Sequence, residues 1–199
     1  AAAQPFRSFR MTPIYGLGSR QKRAYDDLVD VLEHLQSASF SSLTSPYFAR
    51  PGLLLAVLGE PTHRHDALDA ALTDLVAREF IISHLSLQTL NLLSGLAHGC
   101  LGPPEVGCTV VLPMALCGAD PTGLRLLSES GHHHLLGIRA DRQADARLLA
   151  QELRVPLWPL GRTTGQELVI RLSEGTEVEP FPTVLRVPLA TIRQSQPSK

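Results

Sequence analysis

Between residues 126 and 172 the chain changes periodicity repeatedly within a short span, and few folds accommodate that. A short helix ends in Ser128-Glu129-Ser130-Gly131. A strand at 133–138, a helix at 141–153 and a strand at 155–160 follow. The turn Gly161-Arg162-Thr163-Thr164-Gly165 then leads into a strand at 166–172. Strand and helix patterns in alternation demand an α/β layer structure, because each helix must bury its apolar stripe against a sheet.

The upstream sequence continues this cadence. Pro51-Gly52 opens the apolar run at 53–58 and Gly59 closes it, which predicts a buried strand. Residues 66–80 read as a helix capped by Asp66, with Leu68, Ala71, Leu72, Leu75 and Val76 on one face. A second helix is predicted at 86–98 from Leu87, Leu90, Leu93, Leu96 and Ala97, stopped by Gly99. A strand at 106–112 and a short helix at 121–128, with Pro121 at its start, complete the series. Residues 19–36 carry Leu28, Val31, Leu32 and Leu35 at helical spacing, whereas 37–50 read as irregular. The expected fold is α/β (an α+β sandwich): a mixed sheet with helices packed on one face. The expected organisation is an N-terminal arm at 1–18, one domain at 19–172, and an acidic loop with a C-terminal extension at 173–199.

Composition narrows the function classes. The 199 residues are 44% hydrophobic and carry a formal net charge of −1, so no electrostatic case exists for nucleic acid or an anionic membrane. Cys100, Cys108 and Cys117 are odd in number and lack metal-ligand spacing, so buried inert thiols in a reducing setting are expected. No apolar run approaches membrane-spanning length. The chain begins without Met and reads as a piece of a longer protein.

Single motifs are weak. In His132-His133-His134, strand geometry puts His132 and His134 on one face and His133 on the other. Two imidazoles make an incomplete metal site, so these are read as polar residues at a strand start. His63-Arg64-His65-Asp66 links a strand to a helix, where anions often bind, but Pro61 removes a donor and no glycine follows Gly59. Gly16-Leu17-Gly18-Ser19 lacks the third glycine of a dinucleotide loop.

Together the motifs carry a resemblance. Residues 51–60, PGLLLAVLGE, resemble the "PGD-hydrophobic-LG" strand of the aminoimidazole-ribonucleotide-synthetase-like superfamily. Residues 66–82 resemble the helix after it, and 84–90 occupy the place of its "HDVSDGGL" motif. Residues 126–131, LLSESG, resemble "LFSESPGR", and 155–170 resemble "GVP…IGRVTG…LVI". In cadence the chain is similar to the C-terminal domain of formylglycinamidine ribonucleotide synthase, a member of that superfamily.

The departures fall on the chemistry. His84 and Ser86 are kept, but both acidic residues and both glycines of the motif are gone. Leu, Gln and Thr stand where a phosphotransfer pocket needs carboxylates and bare backbone. His132 replaces the family's Arg, a bidentate phosphate ligand. The resemblance extends to the large tegument proteins of gammaherpesviruses, a group with this scaffold and lost chemistry. It implies a non-enzymatic domain, free of catalytic residues, metal and cofactor, in the virion tegument and the host nucleus at PML bodies. It implies binding of the histone chaperone Daxx, with histones H3.3 and H4 carried along, and displacement of the remodeller ATRX. No contact with nucleic acid or membrane is expected. The contact residues expected are Tyr15 on the arm, Leu185 and Val187 near the C-terminus, and Glu174, Glu177 and Glu179 facing a basic partner. The alternative is half of an ATP-dependent purine-biosynthesis synthetase that needs a partner domain.

Overall fold

The computed structural model describes residues 44–59, 65–117, 123–131, 133–173 and 183–194. Among the described residues, seven strands form one sheet in the order β2-β4-β1-β5-β3-β6-β7. They are β1 Leu54–Leu58, β2 Ile81–Ser86, β3 Cys108–Leu112, β4 His134–Ile138, β5 Leu157–Thr163, β6 Glu167–Leu172 and β7 Thr183–Pro188. All neighbours run antiparallel except β3 and β6, which are parallel, so the sheet is mixed as expected.

Strand alternation splits the core into two layers. Leu55 and Val57 of β1 enter one layer, with Leu92, Leu93, Leu96 and Ala97 of helix α2 (Leu92–Cys100). Leu54, Ala56 and Leu58 enter the other, with Leu68, Ala71 and Leu75 of α1 (His65–Ala77) and Ala146, Leu149 and Ala150 of α5 (Gln143–Glu152). Helices therefore cover both faces and not one: a strand as apolar as β1 has two sides to bury, and one helical layer reaches only one of them. The short helices α3 (Met114–Cys117), α4 (Leu124–Ser128) and α6 (Leu189–Gln194) contribute Leu116, Leu127, Leu189 and Ile192 to the α2 side.

Two elements depart from the sequence reading. Residues 81–86 form β2, and α2 begins only at Leu92. Leu87 and Leu90 sit at helical spacing, but Asn91 takes an extended conformation and its side chain accepts from Ser94 N–H at 2.8 Å, capping the helix there. β7 pairs with β6 along its length, so residues 183–188 belong to the sheet and not to an extension. The sharpest backbone approach is at Gly161 of β5, where a Cβ would strike the carbonyl of Thr109 on β3. Among the described residues, no helix is long and apolar enough to cross a membrane. The predicted arm at 1–18 and the segment at 19–36 lie outside the described residues.

Candidate functional site

Two segments far apart in sequence meet at one end of the sheet. One runs from β2 through residues 87–91 to the start of α2; the other runs from the end of α4 through residues 129–133 into β4. Gly131 N–H donates to Leu87 O at 2.9 Å, and Leu87 N–H donates to His133 O at 2.9 Å. Asn91 pairs with Ser130 as an antiparallel bridge, and its Nδ2 donates to Ser128 O at 3.3 Å. The "HDVSDGGL"-like and "LFSES"-like segments are thus one structural unit.

Its wet side is formed by exposed Gln88, Thr89, Ser128, Glu129 and Ser130. Glu129 accepts from Arg125 Nε at 2.8 Å, but both side chains are largely in solvent, so this pair contributes little. The dry side consists of Leu85, Leu87 and Leu90, which are 1%, 3% and 5% exposed and lie in the α2 layer. Leu87 packs so tightly on α2 that a Cβ at Gly95 would come within 2.9 Å of its Cδ2. A carboxylate at position 85 would point into hydrocarbon, away from the wet side.

A buried polar pair lies on the opposite face. His84 of β2 and His134 of β4 share the α1 side of the sheet, and His84 Nε2 is 2.9 Å from His134 Nδ1. One ring donates and the other accepts. His134 Nε2 is 3.9 Å from the carboxylate of Asp69 on α1. Burial, with a smaller contribution from His134, lowers the His84 pKa from 6.5 to about 4, so the ring is neutral near pH 7. Sequence spacing held no sign of this contact, because the two rings are separated by 50 positions and meet only through β2–β4 pairing. Among the described residues, no group of three or more His, Cys, Asp or Glu could hold a metal ion.

The other expected residues are placed as follows. Leu185 and Val187 are 2% and 1% exposed and point from β7 into the α2 layer. This corrects the premise that they form an apolar surface: strand alternation turns them inward and leaves Arg186 and Pro188 exposed. Tyr15, Glu174, Glu177, Glu179 and His132 lie outside the described residues. All three cysteines are buried free thiols. Cys100 and Cys108 are 3.6 Å apart, and their hydrogen bond and burial push the Cys108 thiol well above its usual range. His98 stacks on Tyr47 at 4.9 Å, and burial lowers its pKa.

The fold is an α/β domain with a mixed sheet, and it is shared with part of solved synthase structures. No family model matches the chain, and no curated protein sequence matches it. Among solved structures it is similar to phosphoribosylformylglycinamidine synthase II from Thermotoga maritima, with a TM-score of 0.61 at 15% identity over 78% of this chain. Thermotoga maritima PurL complexed with ATP gives 0.62 at 13% identity, also over 78% of this chain. The same protein complexed with FGAR gives 0.58 at 13% identity over 75% of this chain. The chain spans 28% of the length of the first two and 29% of the third.

Proposed function

We propose that this chain is a non-catalytic protein-interaction module built on a synthetase-type C-terminal domain. The observation that carries the reading is the burial of Leu85, Leu87 and Leu90. Of the four positions held by carboxylates and glycines in the superfamily motif, Leu85 and Leu90 lie in the hydrophobic core, and exposed Gln88 and Thr89 supply neither carboxylate nor bare backbone. A core leucine supplies neither charge for Mg²⁺ nor bare backbone for phosphate. The partner assigned is the host histone chaperone Daxx, with histones H3.3 and H4, at the expense of ATRX. That assignment rests on the motif resemblance alone; no fold comparison bears on it.

A second reading has its own support. Solved structures with this fold include phosphoribosylformylglycinamidine synthase II and PurL complexed with ATP, and that likeness favours a synthetase half over a viral module. Against it stand the same core leucines, with Gln88 and Thr89 beside them in place of a carboxylate and a glycine.

Two measurements separate the readings. A pull-down from nuclear extract with the purified chain, read by mass spectrometry, is expected to recover Daxx with H3.3 and H4. Calorimetric titration with Mg-ATP is expected to give no heat of binding. Micromolar nucleotide binding, with only metabolic enzymes recovered, would establish the synthetase reading in its place.

A further inference from the structure

Two nucleophilic side chains in the core take no part in the unit described above. Cys100 ends α2 and Cys108 opens β3, and each is 0% exposed. Cys100 Sγ donates to Cys108 Sγ at 3.6 Å. Residues 101–107 join them, and the backbone holds both ends of this connection. Val106 N–H donates to Cys100 O at 3.1 Å, which closes the connection onto the end of α2. Gly107 N–H donates to Gly165 O at 2.9 Å and its carbonyl accepts from Thr164 at 2.8 Å, which fixes the start of β3 against the β5–β6 turn. Packing is as tight: a Cβ at Gly99 would strike the Phe48 ring, and one at Gly107 the Glu167 carbonyl.

Burial shields each thiol from bulky reagents but leaves it beside the other. Disulfide sulfurs lie about 2.05 Å apart, so this pair has to close by about 1.5 Å. A shift of that size is within reach of χ1 rotation in two short side chains. We propose that Cys100 and Cys108 form a reversible disulfide when the chain meets a peroxide, and that the bond locks the end of α2 onto β3. The inference does not depend on which partner or ligand the domain takes.

The reaction runs in two steps. One thiol loses its proton, and its sulfur attacks hydrogen peroxide. The O–O bond breaks, the leaving hydroxide takes up the proton as water, and the sulfur becomes a sulfenic acid. The second sulfur then attacks the first. The S–O bond breaks, the hydroxyl leaves with the second thiol proton as water, and the S–S bond forms. Two thiols give up two electrons, and one peroxide becomes two waters. In the closed state the hydrogen bond and burial keep Cys108 protonated, so attack starts from an opened connection. Little opposes that opening at the tip. Pro103 and Pro104 are exposed already, and Glu105 is held to Arg193 at 2.9 Å by an ion pair whose arginine is 61% exposed.

The test uses the purified chain, reduced and then exposed to hydrogen peroxide under native conditions. Remaining thiols are alkylated after denaturation. Cleavage after Glu105 and Leu112 parts the three cysteines before mass spectrometry. The expected product is a pair of peptides joined through Cys100 and Cys108, lighter by two hydrogens and separated by dithiothreitol. The oxidised chain is expected to melt about 5–10 °C above the reduced one, the effect of closing a loop of about nine residues. Cys117→Ser should behave as the wild type, whereas Cys100→Ala and Cys108→Ala should each abolish the gain, with circular dichroism as the check on folding. The peptide map of the wild type needs no variant. Recovery of Cys100 and Cys108 as free thiols, a bond that includes Cys117, conversion of either cysteine to a sulfinic acid, or a cross-linked chain that melts no higher than the reduced one would overturn the inference.

Discussion

The His84–His134 pair should make the domain acid-sensitive in a defined window. The unfolded chain takes up a proton on His84 near 6.5, but the folded chain does so only near 4. The folded pKa of a base is depressed, so the native state binds fewer protons than the unfolded state between those values. Its stability is therefore greatest above pH 6.5 and falls as pH drops toward 4. Each unit is about 1.4 kcal/mol, so the loss is about 2 kcal/mol by about pH 5 and levels off at about 3 kcal/mol. The assay is urea unfolding of the wild type and His84→Gln, followed by circular dichroism, from about pH 7.5 to about pH 4.5. The variant is expected to be less stable at neutral pH, having lost its bond to His134. It should then lose less stability on acidification, so the two curves converge. Subtracting one from the other removes the carboxylates and other histidines common to both, and what remains belongs to the coupled pair. Parallel curves would refute the argument, because they would mean that His84 takes up its proton equally in both states.

Other substitutions test the architecture. Leu185→Ala is expected to cost about 2–5 kcal/mol in urea unfolding without directly altering a partner surface, because the side chain fills the core. Leu85→Asp should cost about 3 kcal/mol or more and confer no Mg-ATP binding; calorimetry that detected binding would revive the synthetase reading. Gly161→Ala should lower stability by about 1–3 kcal/mol, read as a fall in melting temperature, because the added methyl meets Thr109 backbone that cannot swing away. Asn91→Ala should cost about 1 kcal/mol by uncapping α2 and releasing Ser128 O.

Much of the layer pattern was legible along the chain. The apolar run of β1, the stripe of α1 and the strand–helix–strand passage at 133–172 depend on local periodicity, which a single sequence records. The class of fold followed from their alternation. What was local but contested went wrong: the leucine spacing at 87–96 is helical, yet the Asn91 cap and the pairing of 81–86 with β4 moved the helix start and made a strand. Only the tertiary structure decided which side each residue serves. Leu185 and Val187 look like spare apolar surface until β6 pairing turns them inward. His84 and His134 are unremarkable apart and a buried pair together. Periodicity is encoded within a few residues of itself, whereas register and burial are set by partners tens of positions away, and one-dimensional spacing holds no term for them.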